Sequence, residues 1–210
     1  MAYRILAILA LLTFSLASTG SRAEVWTVTS EERFPPYNFS QDGKRAGMDT
    51  EIVEAVLARM GVTASHVAVP WNRVVASLDQ NETDLAFQFV GTPERIEKYA
   101  MIGPFRTGRT VFVVRADSPL SYNSLEDLRG HTVGTVNGFS YTPEFDAATF
   151  IVREPATTSL IALNKLLAGR SDAVIGDLYT LVHLARQAGF SDKLNHYQLK
   201  LVGLCLGWKP

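Results

Sequence analysis

Cysteine is nearly absent from this 210-residue chain, with Cys205 the only one. An internal disulfide and a cysteine-based metal cluster are thereby excluded, and a lone thiol sits oddly with an oxidising compartment. Histidine is scarce too. His66, His131, His183 and His196 show no paired ligand spacing, so they read as surface or packing residues and no metal is expected. Nor is there an excess of charge of either sign: 20 Lys and Arg against 21 Asp and Glu give a formal net charge of −1, which argues against nucleic acid or an anionic membrane as the main partner. No Gly-x-x-x-x-Gly-Lys loop and no Gly-x-Ser-x-Gly elbow occurs. Nucleotide hydrolysis and serine-esterase chemistry lose their usual sequence support, and no cofactor is expected.

The long hydrophobic run stands at the start. Arg4 supplies a short positive region, Ile5 to Ala17 an almost wholly apolar run, and Ser21-Arg22-Ala23 a small-x-small cleavage pattern. Residues 1–23 therefore read as a secretory signal peptide, too short for a comfortable membrane span; a buried core helix or a retained anchor is the competing reading. No cysteine follows the run, so no lipid anchor is expected. The mature chain of 210 − 23 = 187 residues is then an exported soluble protein, long enough to bury about 70% of its unfolded surface in one core or two small ones.

Val25 to Ser30 alternates like a half-buried strand, and Phe34-Pro35-Pro36-Tyr37-Asn38-Phe39 after it must be an aromatic-rich loop. Asp49 suits the cap of a helix in which Ile52, Val53, Val56, Leu57 and Met60 share one face, with Gly61 as the stop. A strand over 63–69, a helix from about Trp71 and a strand over 84–89 complete a β-α-β-α-β run, the signature of a mostly parallel sheet covered by helices. Val111 to Val114 is a continuous apolar strand. The composition then shifts at Asp117-Ser118-Pro119, and the pattern restarts: helix over 125–129, strand over 131–136, helix from Thr142, strand near 150–152, a Leu160, Leu163 and Leu167 helix, strand over 172–175 and a last helix over 181–188. Two small α/β lobes in series are expected, residues 24–114 and 115–202, with 203–210 an atypical tail.

Gly91-Thr92-Pro93-Glu94-Arg95 reads as a helix start. Thr92 can cap, Pro93 suits the first helical position and Glu94 suits the positive end of the dipole. Arg95 opposes that dipole unless an anion sits nearby. Two readings stand: a surface pairing of Arg95 with Glu94 or Glu97, or a guanidinium fork at a helix N-terminus that receives a carboxylate or phosphate. Thr142-Pro143-Glu144 repeats the motif. If both helix starts follow strand ends, as open α/β sheets favour at ligand sites, they would face each other across a cleft; a chance repeat of a good helix start is the alternative.

The aromatic loop, Gly47-Met48-Asp49, Val69-Pro70-Trp71, Thr92-Pro93-Glu94-Arg95, the 125–130 segment Leu-Glu-Asp-Leu-Arg-Gly and the 169–177 segment Gly-Arg-Ser-Asp-Ala-Val-Ile-Gly-Asp occur in that order behind the signal peptide. The chain resembles the family 3 bacterial extracellular solute-binding proteins, periplasmic receptors of polar amino-acid ABC importers, from about Val25 to Val202. The resemblance implies a two-lobed periplasmic-binding-protein-like fold of type II, each lobe a mostly parallel sheet flanked by helices. It also implies an amino acid or small carboxylate as ligand, an ABC transporter permease as partner, a monomer, a periplasmic location and no enzymatic activity. Residue by residue, Arg95 matches the grip on the ligand's α-carboxylate, Ser140 a second-lobe hydroxyl on the same group, and Asp177 the acceptor of the α-ammonium. Tyr37 matches the stacking aromatic of the first loop, and Trp71 and Arg73 lie near the cleft edge. Asp177 also suits a helix cap, and Tyr37 a core or lid position.

Two departures from the family pattern stand out. The segment before Arg95, Gln88-Phe89-Val90-Gly91, is one residue short and lacks the usual ligand-binding hydroxyls. The chain also ends at Leu204-Cys205-Leu206-Gly207-Trp208-Lys209-Pro210, where the family continues, so a truncated form with an incomplete first lobe is expected, with apolar surface left exposed. Enzymes resembling cyclohexadienyl dehydratases use the same scaffold. Glu31, Glu32 and Asp177 would be the candidate acids in that reading, and a sensor or a non-functional remnant is a third.

Overall fold

The structure is a computed structural model that describes residues 24–208; the signal-peptide reading of residues 1–23 lies outside them. β1 (Glu24–Glu31) and β4 (Val62–Val69) pair in parallel from Glu24↔Val62 to Glu31↔Val69, and β5 (Leu85–Val90) joins the other side of β1. Parallel neighbours need crossovers, here α1 (Met48–Arg59) and α2 (Trp71–Asp79). A small hairpin, β2 (Phe39–Gln41) with β3 (Lys44–Ala46), precedes α1. Helices cover both faces, which is why β5 is apolar almost throughout. Val28, Val53, Leu57 and Phe87 pack on one side, and Trp71, Val74, Leu78 and Phe89 on the other.

α1 sits differently from the expected amphipathic face. It buries Asp49, Thr50, Val53 and Leu57 and leaves Ile52, Val56 and Met60 at 36%, 44% and 58% exposure. Asp49 is not the cap. Gly47 holds that position, and Asp49 enters the helix to meet charged partners described below. Gly47 has φ +113°, and a Cβ there would lie 2.4 Å from the carbonyl carbon and oxygen of Tyr37. Only glycine allows this approach, through which Asp49 N–H donates to the Tyr37 carbonyl at 2.9 Å. Gly47→Ala is expected to destabilise the fold by about 2–3 kcal/mol through strain at positive φ and the clash, read as a lower melting temperature in thermal denaturation.

Beyond α3 (Pro93–Lys98), the chain enters β6 (Ala100–Arg115), a strand of 16 residues and about 50 Å. β7 (Thr132–Val136), α4 (Pro143–Ala147), β8 (Val152–Ala156), α5 (Ser159–Leu167), β9 (Ala173–Asp177) and α6 (Leu178–Gln187) follow, and β10 (Leu194–Trp208) ends the described chain. Leu125–Leu128 is a 3₁₀ turn where a helix was expected. The strands form one sheet in the order β4-β1-β5-β10-β6-β9-β7-β8.

β6 and β10 belong to both halves of that sheet. Thr110 to Val114 pair with β9, and Val111, Phe112, Val113 and Val114 bury in the second lobe's two clusters. The apolar run that the sequence assigns to the end of the first lobe is thus core of the second, and the crossing lies within β6. The expected tail is likewise strand. Leu204, Cys205, Leu206 and Gly207 pair with Val90, Phe89, Phe87 and Ala86 of β5, so β10 returns to the first lobe and fills its sheet between β5 and β6. Cys205 is buried there, and burial pushes its thiol pKa up.

Candidate functional site

A cavity of about 60 Å³ lies where the ends of β1, β5 and β9 meet the β7–α4 loop. Glu31, Trp71, Gln88, Val90, Arg95 and Leu204 line it from the first lobe. Phe139, Ser140, Tyr141 and Asp177 line it from the second, and Gly108 and Thr110 of β6 form the floor. This is the strand-end position at which open α/β sheets bind ligands.

Arg95 is held as its helix start predicts. The Thr92 hydroxyl accepts from Arg95 N–H at 3.3 Å, and Pro93 occupies the first helical position. The guanidinium does not spend itself on a surface ion pair. Its Nη1 donates to the Val90 carbonyl at 3.1 Å and its Nη2 to the Gly138 carbonyl of the second lobe at 3.0 Å. It lies over the rings of Phe89 and Trp71, 5.2 and 5.8 Å from their centroids. Two of its five donors are thereby used, and burial pulls its pKa down. Trp71 Nε1 donates to the same Gly138 carbonyl at 2.8 Å, so one second-lobe oxygen takes hydrogen bonds from two first-lobe side chains.

Asp177 ends β9 and does two things. Oδ1 caps α6 by accepting from Thr180 N–H at 3.1 Å, and Oδ2 accepts from Arg109 N–H at 3.3 Å while the side chain faces the cavity. Burial raises its pKa, partly offset by these bonds and by Arg106. The Tyr37 hydroxyl lies near Asp177 and influences its carboxyl, and the Tyr37 ring stacks on the Arg106 guanidinium at 3.5 Å. Tyr37 is held in that stack and is not among the residues that line the cavity, whereas Phe34, three residues earlier, is.

The structure thus brings Arg95, Asp177, Ser140 and Trp71 to one cavity and leaves out Tyr37 and Arg73. Arg73 lies two residues beyond Trp71, about 200° round the helix, and is exposed. Both Thr-Pro-Glu starts border a single groove that shares Val90, Phe139, Ser140 and Tyr141 with the cavity, and Asp146 in it is held by the charge of Arg153. Sequence reasoning missed Gln88, whose φ of +75° turns its side chain so that Nε2 donates to Asp49 Oδ2 at 2.9 Å. It also missed the fully buried Asp49 and its partner Arg106, whose Nε donates to both carboxylate oxygens at 2.6 and 2.8 Å. No spacing signal links residues 57 positions apart. Glu31 appears in the sequence only as one candidate acid; its place at the end of an alternating strand was the available clue.

Residues 26–202 match the bacterial extracellular solute-binding proteins, family 3. The chain belongs to that family. Proteins similar to it include a probable amino-acid ABC transporter-binding protein of Haemophilus influenzae, 25% identical over 82% of this chain and 67% of its own length. The L-cystine-binding protein TcyJ of Escherichia coli is 29% identical over 53% of this chain and 42% of its own, and the arginine-binding periplasmic protein of Mannheimia haemolytica 23% identical over 76% and 66%. The chain therefore spans between about two fifths and two thirds of these relatives. Among solved structures, holo ArgBP from T. maritima superposes with a TM-score of 0.78 at 24% identity, covering 88% of this chain and 82% of that one. A histidine kinase sensor domain similar to periplasmic binding proteins gives 0.80 at 22%, over 90% and 83%. The fold is the two-lobed type II arrangement of family 3: a mixed α/β sheet with flanking helices. No helix among the described residues is long and apolar enough to cross a membrane.

Proposed function

We propose that this chain is an exported receptor that closes its two lobes around an amino acid and delivers it to an ABC importer, without chemistry of its own. The observation that carries the reading is that Arg95 of the first lobe and Asp177 of the second line one cavity. They suit opposite ends of a zwitterion: Arg95 keeps donors for an α-carboxylate, with Ser140 beside it, and Asp177 accepts from an α-ammonium. Because the two grips come from different lobes, a ligand that bridges them binds the closed form better than the open one, and that differential affinity is what converts binding into a shape. The permease would read that shape in the periplasm, and the receptor would act as a monomer. The relatives support an amino acid, since they are described as binding amino acids, cystine or arginine. This chain also covers 88% of a truncated ArgBP solved with arginine bound.

The test is a thermal-shift screen of the mature protein against the standard amino acids, citrulline and small carboxylates. A ligand present at 100 times its dissociation constant stabilises the folded state by about 2.7 kcal/mol, or roughly 5–11 °C for a chain this size. At least one amino acid is expected to reach that shift. No shift with any amino acid removes the reading.

A further inference from the structure

Arg106 is used at one corner only. Its side chain is 7% exposed and its Nε donates to both Asp49 oxygens, yet Nη1 and Nη2 are buried with no hydrogen-bond partner. Most of the donors of a buried guanidinium are therefore spare. The residue sits on β6 opposite Leu204 of β10, where the two crossing strands join the lobes. The first lobe fixes it on two sides, with the Asp49 carboxylate at Nε and the Tyr37 ring on its face at 3.5 Å. The spare edge reaches toward the second lobe. A Cβ built on Gly108 would lie 3.5 Å from Arg106 Nη1 and 3.0 Å from Asp177 Oδ2, so the free guanidinium edge and the Asp177 carboxylate flank one point of backbone that carries no side chain.

Asp177 has need of that charge. Its oxygens accept from the Thr180 and Arg109 N–H groups, and among the described residues no side-chain cation bonds to it directly. Burial raises its pKa, and the Thr180 N–H, the Arg106 charge, the Arg109 N–H and the Tyr37 hydroxyl oppose the rise. The other charged groups around it give no such help. Asp49 of α1 repels it, Glu31 and Arg95 stand across the cavity, and the Arg109 guanidinium lies over the Tyr179 ring.

We propose that Arg106 is a positioning residue for capture: held by the first lobe, it compensates the Asp177 carboxylate across the lobe boundary and so keeps the second lobe's ammonium acceptor usable in a closed, dry cleft. The inference rests on the amino-acid reading above, in which Asp177 accepts from the α-ammonium. Only the ionised carboxylate can pair with an ammonium, so affinity for an amino acid falls by up to about tenfold per pH unit once Asp177 binds a proton. Without Arg106 that proton binds at higher pH, and the loss begins at higher pH. An Arg106 that serves only to neutralise Asp49 would leave the profile where it is.

The test compares the strongest amino acid of the thermal-shift screen with its deaminated carboxylic acid, for L-arginine 5-guanidinopentanoic acid, by calorimetry between about pH 5 and 8. The two ligands differ only in the α-ammonium, so the ratio of their affinities isolates Asp177 and cancels the titration of Glu31 and Asp49. At about pH 8 wild type and Arg106→Met are expected to prefer the amino acid by ratios that agree within about threefold. At about pH 5 the ratio in Arg106→Met should have fallen at least ~10-fold further than in wild type. Arg106→Lys, which keeps the charge, should stay near the wild-type profile. Should Arg106→Met not fold, Asp49→Leu combined with Arg106→Met, in which neither charge needs burial, should show the same displaced profile. Profiles of wild type and the Arg106 variants that superimpose overturn the proposal, and so does a wild type with no preference for the amino acid over its deaminated form. In either case an amino acid that still binds leaves the receptor reading standing. If no amino acid binds, both fall.

Discussion

Arg95→Ala is expected to weaken amino-acid capture by about 2–5 kcal/mol, some 30-fold to several thousandfold in dissociation constant, the range seen when one member of a buried hydrogen-bonded charge pair is truncated. Three features of the site place the effect toward the upper part of that range. The guanidinium lies against the Phe89 and Trp71 rings, so water is poorly placed to substitute for it. Its Nη1 and Nη2 are aligned by the Val90 and Gly138 carbonyls, so the orientation is set before a ligand arrives. The Gly138 bond also ties the two lobes, and losing it weakens the closed form itself. Arg95→Lys keeps the charge and loses the fork, and recovery of only part of the affinity is expected from it. Calorimetry on the three proteins measures both effects.

The second large effect concerns stability. Asp49→Ala leaves the Arg106 guanidinium, 7% exposed, without its carboxylate and with both Nη groups already unpartnered. Removing one member of a buried ion pair costs about 3–5 kcal/mol, which for a chain of this size corresponds to a fall of roughly 6–20 °C in melting temperature. Arg106→Met is expected to cost less, because the carboxyl left behind can take up a proton. Burial already raises the Asp49 pKa, and Arg106 is the main influence holding it down. An acid whose folded pKa lies above its unfolded value favours the folded state when protonated, so Arg106→Met should lose stability as pH rises and recover it toward acid pH. Asp49→Leu combined with Arg106→Met should regain much of the loss at every pH, since neither charge then needs burial. Thermal melts of the four proteins across pH read out the pattern.

Much of the first lobe was legible because local rules agree there. The β1-α1-β4-α2-β5 run shows alternation, helix periodicity and stops in the expected places, and Thr92-Pro93 and Thr142-Pro143 cap as their chemistry requires. The crossing strands were hidden. Gly103 and Pro104 punctuate β6 like a turn, and Cys205 and Gly207 disguise the alternation of β10, so a strand that pairs with β5 of the first lobe looks like a stray tail. Within α1, periodicity identified the helix but not its rotation. The sheet takes the Val53 and Leu57 flank, and Arg106 draws in Asp49. The same limit applies to the site. Arg95 announced itself because it breaks a local rule, whereas Glu31 and Gln88 gain their meaning only when the fold removes their water, and Phe34 lines the cavity while Tyr37 is held against Arg106.

The central claim is that Arg95 grips the α-carboxylate of an amino acid held between the lobes. It is tested most directly by titrating wild-type and Arg95→Ala protein with the amino acid selected by the thermal-shift screen and with its decarboxylated amine. If Arg95 and the α-carboxylate interact, each loss alone is large, and the arginine substitution costs almost nothing further once the carboxylate is gone. If the substitution weakens both ligands by the same factor, Arg95 does not hold the carboxylate and the account of the cleft is wrong.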